Sequence, residues 1–246
     1  MPMHGVILAA GDGGRLRPFT YRTPKPLIQL RDRPLIWYPL SAMAEAGIRE
    51  VGVVVGYHAE QIMEGLHDWA PDGVRLEFIH NPEFEGGNAV SVRAARDFAG
   101  GGPFMLAMSD HIIEPGVAVR LTGECEHPAM LGVDSAASME SQLSDATKVL
   151  VDGDGFLRRI GKGLRRWNAV DIGVFVFQPS IFATLDYLYA QEGSALELSR
   201  VMQHLADTPN GVTTRDIEGL FWTDIDTLAD FKSAYDHLGS ATDLPL

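Results

Sequence analysis

Short apolar runs alternate with amphipathic stretches along the first half of the chain. A short apolar run bounded by turn residues is typical of a buried strand, and apolar positions three or four residues apart are typical of a helix. These patterns predict strands at 5–10, 51–55, 74–79 and 103–108, and helices at 34–46, 58–68 and 88–99. Strands that alternate with helices in this way predict a parallel sheet with helices on both faces.

The pattern changes from about residue 128 onwards. Four strands now follow one another before the last helices, and the glycine- and aspartate-rich turn at 151–156 predicts a hairpin. The strands are expected at 128–134, 146–151, 156–160 and 170–177, and the helices at 179–190, 195–207 and 227–237. No repeat or long linker intervenes. We therefore expect one α/β domain over 1–246, with a mixed, mainly parallel sheet shared by the halves 1–127 and 128–246.

The composition excludes several classes of protein. A formal net charge of −13 argues against nucleic acid as a partner. No apolar run approaches the roughly 20 residues that a membrane-spanning helix needs, so we expect no membrane partner. The lone Cys125 rules out an intramolecular disulfide and a cysteine-rich metal site, which fits a cytoplasmic protein. The composition leaves homo-oligomerisation open.

The positive charges are concentrated in two short segments. Between Arg15 and Arg33 stand six basic residues and one acidic residue, Asp32. Between Arg158 and Arg166 stand five basic residues and no acidic one. Such clusters in an otherwise acidic chain indicate two places that hold small polyanions.

A glycine-rich turn directly follows the first predicted strand. Gly11, Gly13 and Gly14 allow a tight turn whose N–H groups face phosphate oxygens, and Arg15 and Lys25 add positive charge. Because a proline stands on either side of Lys25, we expect this lysine on a stiff, extended segment. The turn lacks the Gly-Lys-Ser/Thr end of a P-loop and the third glycine of a dinucleotide-binding loop.

Carboxylates are predicted at the same edge of the sheet. Asp110 and His111 follow the strand at 103–108, at the edge where sheets of this kind hold ligands. Asp224 and Asp226 stand two positions apart in an extended segment and therefore point to one face. Carboxylate oxygens suit Mg²⁺, which bridges them to substrate phosphates. In the alternative interpretation, Asp110 caps the next helix and one of the two later aspartates caps the last helix.

Together these motifs resemble those of the nucleoside-triphosphate transferases that activate sugar 1-phosphates. The resemblance runs through almost all of 8–27 and continues over most of the chain. Within that family, the later motifs are most similar to those of the cytidylyltransferases for inositol 1-phosphate. These motifs are Gly87-Asn88-Ala89-Val90-Ser91, Met108-Ser109-Asp110-His111, Asp145-Ala146-Thr147-Lys148, Ile160-Gly161-Lys162-Gly163-Leu164, Val170-Asp171-Ile172-Gly173 and Trp222-Thr223-Asp224-Ile225-Asp226-Thr227.

The resemblance implies a role for each matching residue. Arg15, Lys25 and Asp110 are expected to be catalytic, with Lys25 at the α-phosphate. Asp110 and Asp226 are expected to hold Mg²⁺, and Asp224 is the alternative to Asp226. The nucleotide is expected to contact Leu8, Ala9, Ala10, Gly11, Gly13, Gly14, Arg15, Lys25, Gly87, Asn88 and Ser91. The acceptor is expected to contact His111, Lys148, Asp171 and Lys162, the last of these at its phosphate.

The resemblance also implies a Rossmann-like fold and a Mg²⁺-dependent reaction. CMP would pass from CTP to inositol 1-phosphate, giving CDP-inositol and diphosphate, with 1–127 as the nucleotide-binding half and 128–246 as the acceptor-binding half. Two alternatives stay open: UTP, dTTP or GTP with a sugar 1-phosphate, and CTP with phosphocholine or a phosphonate. A non-catalytic, nucleotide-binding regulatory module is disfavoured by the complete set of charged residues.

Overall fold

A mixed, mainly parallel β-sheet forms the centre of the protein. The computed structural model describes residues 2–17, 19–123, 125–137, 146–209 and 211–240, so Pro18 and Asp145 of the motifs above lie outside it. The strands are β1 (His4–Ala9), β2 (Gln29–Leu30), β3 (Arg33–Pro34), β4 (Glu50–Val55), β5 (Arg75–His80), β6 (Phe104–Met108), β7 (His111–Ile113), β8 (Ala129–Asp134), β9 (Lys148–Val151), β10 (Leu157–Gly161), β11 (Ala169–Phe177), β12 (Thr213–Asp216) and β13 (Trp222–Asp224). In the main sheet the strands follow the order β10-β9-β11-β6-β1-β4-β5. Strand β8 pairs with β11 and with β12.

Strand β1 lies in the middle of the parallel part of the sheet. It pairs in parallel with β4 and β6, and β4 pairs in parallel with β5. Val6 and Leu8 pack into the core on one face of the sheet, whereas Ile7 and Ala9 pack into the core on the other face. Because both faces are covered, the strand is apolar from Gly5 to Ala9, as the continuous apolar run predicts.

Helices cover both faces of the sheet. The core on one face receives side chains from α3, α6 and α7, and the core on the other face receives side chains from α1, α2 and α5. None of the helices in the described ranges is long and apolar enough to cross a bilayer. The helices are α1 (Trp37–Glu45), α2 (Ala59–Gly65), α3 (Asn88–Ala94), α4 (Arg96–Ala99), α5 (Pro115–Leu121), α6 (Ile181–Glu192), α7 (Leu198–Ala206) and α8 (Leu228–Ser240).

Strand β11 connects the parallel part of the sheet to the strands of the second half. Its last residues pair antiparallel with β6, and its first residues pair antiparallel with β9. Between the two pairings lies Gly173, which has a left-handed φ of +71°. A Cβ atom at this position would lie 2.4 Å from Nε2 of His111. The strand therefore needs glycine here, both for the backbone angle and for the close approach of the imidazole.

The predicted hairpin at 151–156 is confirmed. Strands β9 and β10 pair antiparallel, and Oδ1 of Asp152 accepts hydrogen bonds from the backbone N–H groups of Asp154 and Phe156 in the turn. The hairpin occupies the edge of the main sheet.

Several short elements differ from the prediction. The pattern does not predict β7, β12 or β13, because strands of three or four residues are too short to show a period. It also does not predict α5, a helix of seven residues. The helix expected at 34–46 begins at Trp37, since β3 pairs with β2 just before it. The stretch 88–99 forms two helices that separate at Ala95.

Replacement of Gly173 tests the bend in β11. We expect Gly173→Ala to lower the free energy of unfolding by about 1–3 kcal/mol, the usual cost of a left-handed non-glycine residue. Urea denaturation measures this change. Gly153→Ala is the matched control, because no atom lies within 4 Å of a Cβ built at Gly153 and its φ is not left-handed. Equal stabilities of the two variants would contradict the role given to Gly173.

Candidate active site

A cavity of about 890 Å³ opens where β1 and β6 end. It collects residues from both halves of the chain, at the edge where parallel strands hold ligands. The predicted site residues that line the cavity are Leu8, Ala9, Ala10, Gly11, Gly13, Gly14, Arg15, Lys25, Asn88, Ser91, Asp110, His111, Lys162, Asp171, Asp224 and Asp226.

Two of the predicted site residues do not line the cavity. The N–H of Gly87 donates a hydrogen bond of 2.7 Å to the carbonyl of Ser194, and a Cβ at Gly87 would lie 2.2 Å from the carbonyl oxygen of Leu196. This glycine allows two backbone segments to approach closely. The ammonium of Lys148 lies 5.9 Å from the ring centre of Trp167. The structure thus gives both residues packing contacts outside the cavity.

The glycine-rich loop after β1 is held in place by its own side chains. Asp12 accepts a hydrogen bond from the N–H of Gly14 at 3.1 Å and another from Arg17 at 3.0 Å. The hydroxyl of Thr20 donates to the carbonyl of Gly13 at 3.1 Å. Gly13 has a left-handed φ of +61°, and a Cβ there would lie 2.8 Å from Cβ of Lys25. Glycine at position 13 therefore lets the loop pass directly against Lys25.

The segment around Lys25 is not extended, which corrects the prediction. Residues Lys25–Leu27 form a 3₁₀ turn, in which the N–H of Leu27 donates to the carbonyl of Pro24 at 2.9 Å. The φ angle that proline imposes suits the first turn of a helix as well as an extended chain, and a proline N has no hydrogen to leave unpaired. The flanking prolines thus fix this lysine in a turn.

Lys25 lies between two carboxylates. Its Nζ is 2.6 Å from Oδ2 of Asp110 and 2.7 Å from Oδ1 of Asp226, residues that stand 85 and 201 positions away in the chain. The side chains of Lys25 and Asp226 are only 10% and 11% exposed. Arg15 binds the other oxygen of Asp226 at 2.8 Å. Two cations of the first basic segment, Arg15 and Lys25, are therefore paired with carboxylates inside the cavity.

The pKa values of these groups follow from their pairing. Burial lowers the pKa of the Lys25 ammonium, but the charges of Asp110 and Asp226 outweigh burial and raise it above its ordinary value. Burial raises the pKa of the Asp110 carboxyl, but the Lys25 charge and the hydrogen bond from His111 outweigh burial and hold it well below its usual range. Lys25 is thus fully protonated and Asp110 is fully ionised at neutral pH.

His111 connects Asp110 to the second half of the cavity. Its Nδ1 is 2.8 Å from Oδ1 of Asp110, and its ring lies against Gly173. Burial lowers the pKa of His111, but the hydrogen bond to Asp110 and the carboxylate charges outweigh burial and raise it. The Asp110 carboxylate therefore has a partner on each oxygen.

Two further carboxylates line the cavity near His111. Burial raises the pKa of Asp171 to about 6, although this carboxyl accepts a hydrogen bond of 2.8 Å from the N–H of Gly173. Burial, together with the neighbouring charges of Asp226 and Asp110, raises the pKa of Asp224 despite the opposing charge of His111. These two carboxylates are less well compensated than Asp110 and are available as hydrogen-bond acceptors.

The aspartates at the strand ends do not cap helices, so the capping alternatives are wrong. At the start of α8, the N–H of Thr227 donates to Asp230 at 2.7 Å and the N–H of Asp230 donates to Thr227 at 3.2 Å. This reciprocal pair is a capping box. The N-cap position of α5 belongs to Glu114. The carboxylates of Asp226 and Asp110 are therefore not used for capping, and both line the cavity.

The cavity offers oxygen ligands for a divalent cation. Oδ2 of Asp110 and Oδ1 of Asp226 already converge on one cationic atom, so this pair suits a single small cation. Within the described ranges, no three or more His, Cys, Asp or Glu side chains gather around one metal position. Mg²⁺ does not need such a group, because it is held by one or two carboxylates and takes its other ligands from water and phosphates. The pair fits Mg²⁺ once Lys25 is displaced.

The side chains of Asn88 and Ser91, in the first turn of α3, accept structural hydrogen bonds in addition to lining the cavity. Oδ1 of Asn88 accepts from the N–H of Leu198 at 2.7 Å, which ties α3 to α7. The hydroxyl of Ser91 accepts from Nδ2 of Asn81 at 3.0 Å. Their fixed positions hold one wall of the cavity.

The cavity also contains residues that sequence analysis does not select. Trp222 belongs to a quoted motif, and its indole N–H donates to the buried carboxylate of Asp134 at 2.9 Å. Asp12 stands among the glycines and can be found from the loop motif. Phe84 and Glu197 come from segments without a motif, and only the tertiary fold brings them to this place.

Comparisons with known proteins identify a family and several similar relatives. The family described as nucleotidyl transferase matches residues 4–137. The chain is 31% identical over 237 residues to the bifunctional IPC transferase and DIPP synthase of Thermococcus kodakarensis, covering 95% of this chain and 50% of the relative. It is 31% identical over 245 residues to a glucose-1-phosphate thymidylyltransferase of an Actinoplanes species, covering 96% of this chain and 78% of the relative.

A solved structure resembles the whole chain. The inositol-1-phosphate CTP transferase from T. maritima superposes with a TM-score of 0.85 at 26% sequence identity, covering 99% of this chain and 98% of the other. The chain spans 62%, 50% and 64% of the length of three curated relatives that it matches.

A double-mutant cycle tests the ion pair inside the cavity. Lys25→Met leaves Asp226 with Arg15 alone, and Asp226→Asn leaves Lys25 with Asp110 alone. Because each single variant removes one of two ion pairs of a poorly exposed group, we expect a coupling energy of roughly 1–3 kcal/mol in urea denaturation. The control cycle uses Lys232 and Asp236, a pair at 2.7 Å whose side chains are 79% and 61% exposed. We expect no resolvable coupling there, because water screens the exposed pair. Strictly additive effects at Lys25 and Asp226 would contradict the pairing.

Proposed function

Since the chain belongs to the nucleotidyl transferase family, we propose that it transfers CMP from CTP to inositol 1-phosphate, releasing diphosphate and forming CDP-inositol. The enzyme class follows from family membership, and the choice of both substrates is the proposal. A solved structure with a TM-score of 0.85 and 26% identity, which is an inositol-1-phosphate CTP transferase, supports that choice.

The main support for the proposal is the set of residues that line the cavity. The first half of the chain contributes the glycine-rich loop with Arg15 and Lys25, and the second half contributes Lys162 with Asp171 and Asp224. The first set of groups suits a triphosphate. The second set suits a small molecule with one phosphate and several hydroxyls, because an ammonium binds phosphate and the carboxylates accept hydrogen bonds from hydroxyls. Inositol 1-phosphate has both kinds of group.

Nucleotidyl transfer in this cavity needs no protein nucleophile. A phosphate oxygen of the acceptor attacks the α-phosphorus of CTP in line, the new P–O bond forms, and the bond from the α-phosphorus to the diphosphate oxygen breaks. No general base is assigned, since the acceptor phosphate is already ionised at neutral pH. Catalysis then depends on positioning two anions and on neutralising charge in the transition state.

The residues of the cavity divide these tasks. The loop from Gly13 to Arg15 binds the triphosphate, and Arg15 and Lys25 neutralise charge on the phosphates. Lys162 holds the acceptor phosphate beside the α-phosphorus. The backbone around Ala9, Ala10 and Gly11 receives the base and ribose.

Asp110 and Asp226 are assigned to Mg²⁺, with Asp224 as the alternative ligand to Asp226. When bound, Mg²⁺ supplies positive charge that neutralises the α- and β-phosphates. The support for Asp226 is geometric, because its carboxylate and that of Asp110 share one cation in the structure. Asp224 has no such shared cation, and its place beside His111 in the β7–β13 pairing suits the acceptor.

A second candidate function rests on a specific relative. The thymidylyltransferase relative is as similar in sequence as the IPC transferase relative, each being 31% identical. Transfer of a nucleotidyl group to glucose 1-phosphate is therefore the principal competitor to the inositol reaction.

A diphosphate-release screen tests the proposed substrates. The screen crosses CTP, UTP, dTTP and GTP with inositol 1-phosphate, glucose 1-phosphate, phosphocholine and an aminoalkylphosphonate, all with Mg²⁺. We expect kcat/KM for CTP with inositol 1-phosphate to exceed every other combination by at least about tenfold, which is roughly 1.4 kcal/mol of transition-state preference. A higher value for dTTP with glucose 1-phosphate would establish the competitor instead. A Lys25→Ala protein serves as the blank for contaminating activity.

Replacement of Lys162 tests the division of the cavity between the two substrates. We expect Lys162→Ala to raise KM for the acceptor, or to lower kcat/KM for it, by roughly tenfold. The dissociation constant for CTP, measured by calorimetry, should stay nearly unchanged.

Arg159→Ala is the matched control for Lys162→Ala. Arg159 belongs to the same basic cluster, but it is exposed and pairs with Asp207 at 3.2 Å. Its loss should leave both constants near those of the unmodified protein. If Lys162→Ala instead abolished CTP binding and left the acceptor constant unchanged, Lys162 would belong to the triphosphate.

A further inference from the structure

The ammonium of Lys25 lies where the cation of the Asp110–Asp226 pair would bind. We propose that Lys25 is the resident counter-cation of this pair, and that a divalent ion replaces it when a nucleotide draws the ammonium to its phosphates. This inference rests on the metal-dependent reaction proposed above. It goes beyond that reaction because it makes metal binding conditional on the nucleotide.

Lys25 and a divalent ion would compete for the same two oxygen atoms. The Nζ lies 2.6 Å from Oδ2 of Asp110 and 2.7 Å from Oδ1 of Asp226. Mg²⁺ binds carboxylate oxygens at about 2.0–2.1 Å and requires nearly octahedral space around it. Two cations that both contact this pair of oxygens would lie close together in a poorly hydrated site and repel each other strongly. Entry of one therefore favours departure of the other.

All four oxygens of the carboxylate pair have a partner in the described structure. The second oxygen of Asp110 is 2.8 Å from His111, and the second oxygen of Asp226 is 2.8 Å from Arg15. A divalent ion that enters without nucleotide must therefore break formed contacts. It also leaves an ammonium whose side chain is 10% exposed without an anion. The cost of such an unpaired, poorly hydrated charge opposes metal binding.

A nucleotide removes that cost. The backbone of Lys25 is held in its 3₁₀ turn, and its Cβ lies against Gly13, so the ammonium alone is free to swing on its four-carbon stem. Gly13 of the glycine-rich loop, where the triphosphate is proposed to bind, lies against this stem, since a Cβ there would be 3.5 Å from Cδ of Lys25. A triphosphate there gives the displaced ammonium a new anionic partner. Nucleotide and metal should then strengthen each other's binding by the same factor.

Binding of Mn²⁺ to the nucleotide-free protein tests this inference. The probe is Mn²⁺ alone, followed by electron paramagnetic resonance of the free ion. We expect Lys25→Met and Lys25→Gln, which both remove the ammonium, to bind Mn²⁺ at least about tenfold more tightly than the unmodified protein, since the two carboxylates lose their counter-ion. Lys25→Gln keeps a hydrogen-bond donor between the carboxylates, in case Lys25→Met does not fold.

Arg17→Met is the control for a general change of charge. It removes one positive charge from the same loop, but Arg17 pairs with Asp12 and not with the carboxylate pair. Its Mn²⁺ affinity should match that of the unmodified protein. The double variant Lys25→Met/Asp226→Asn should lose the gain, because one of the two ligands is neutral.

Three results would overturn the inference. These are equal Mn²⁺ affinities of the unmodified protein and both Lys25 variants, an equal gain in Arg17→Met, and a gain that survives Asp226→Asn. The measurement uses neither nucleotide nor acceptor, so it is independent of the substrate assignment. If the substrate screen finds no transfer but Lys25→Met gains Mn²⁺ affinity, the exchange stands and the proposed reaction fails. If transfer occurs without that gain, the exchange alone fails.

Discussion

The contact of one ammonium with two carboxylates determines how the cavity is assembled. Lys25, Asp110 and Asp226 come from a turn after the glycine-rich loop, from the end of β6 and from the segment between β13 and α8. Each carboxylate alone would be costly to bury, and so would the ammonium. Their mutual attraction offsets much of that cost only if all three elements are correctly placed. The ion cluster is therefore a sensitive indicator of correct packing between the first and last parts of the chain.

The topology of the sheet explains why the cluster forms at this edge. Parallel β1 and β6 end side by side, so the glycine-rich loop and Asp110 emerge together. The small antiparallel pair of β7 and β13 then sets Asp224 opposite His111 and brings Asp226 to the same place. The left-handed turn at Gly173 gives the imidazole the space it needs. Local backbone geometry and long-range pairing thus act on the same few side chains.

Much of this arrangement is predictable from the sequence. Strands β1 and β4 are visible as continuous apolar runs, helix α7 has a clear amphipathic period, and the loop glycines and strand-end aspartates are visible as motifs. The conformation of the Lys25 segment is not predictable, because proline is compatible with both an extended chain and a helical turn. The positions of Gly87 and Lys148 outside the cavity are also not predictable from the sequence. They depend on Ser194, Leu196 and Trp167, whose proximity only the folded chain shows.

The hairpin of β9 and β10 has a consequence for how such a protein can change during evolution. It lies at the edge of the sheet and ends at Gly161, directly before Lys162 on the cavity wall. In the described part of the chain, β10 pairs as a strand with β9, and only the start of β10 is bonded to the β12 segment, through Leu157 and Val212. Leu157 and Ile160 pack into the core, but Arg158 and Arg159 between them are exposed, so substitutions at such positions can accumulate without disturbing β1, β6 or the loop between them. If Lys162 holds the acceptor as proposed, a scaffold of this kind can acquire new acceptor molecules through changes at the edge of its sheet while its centre stays constant.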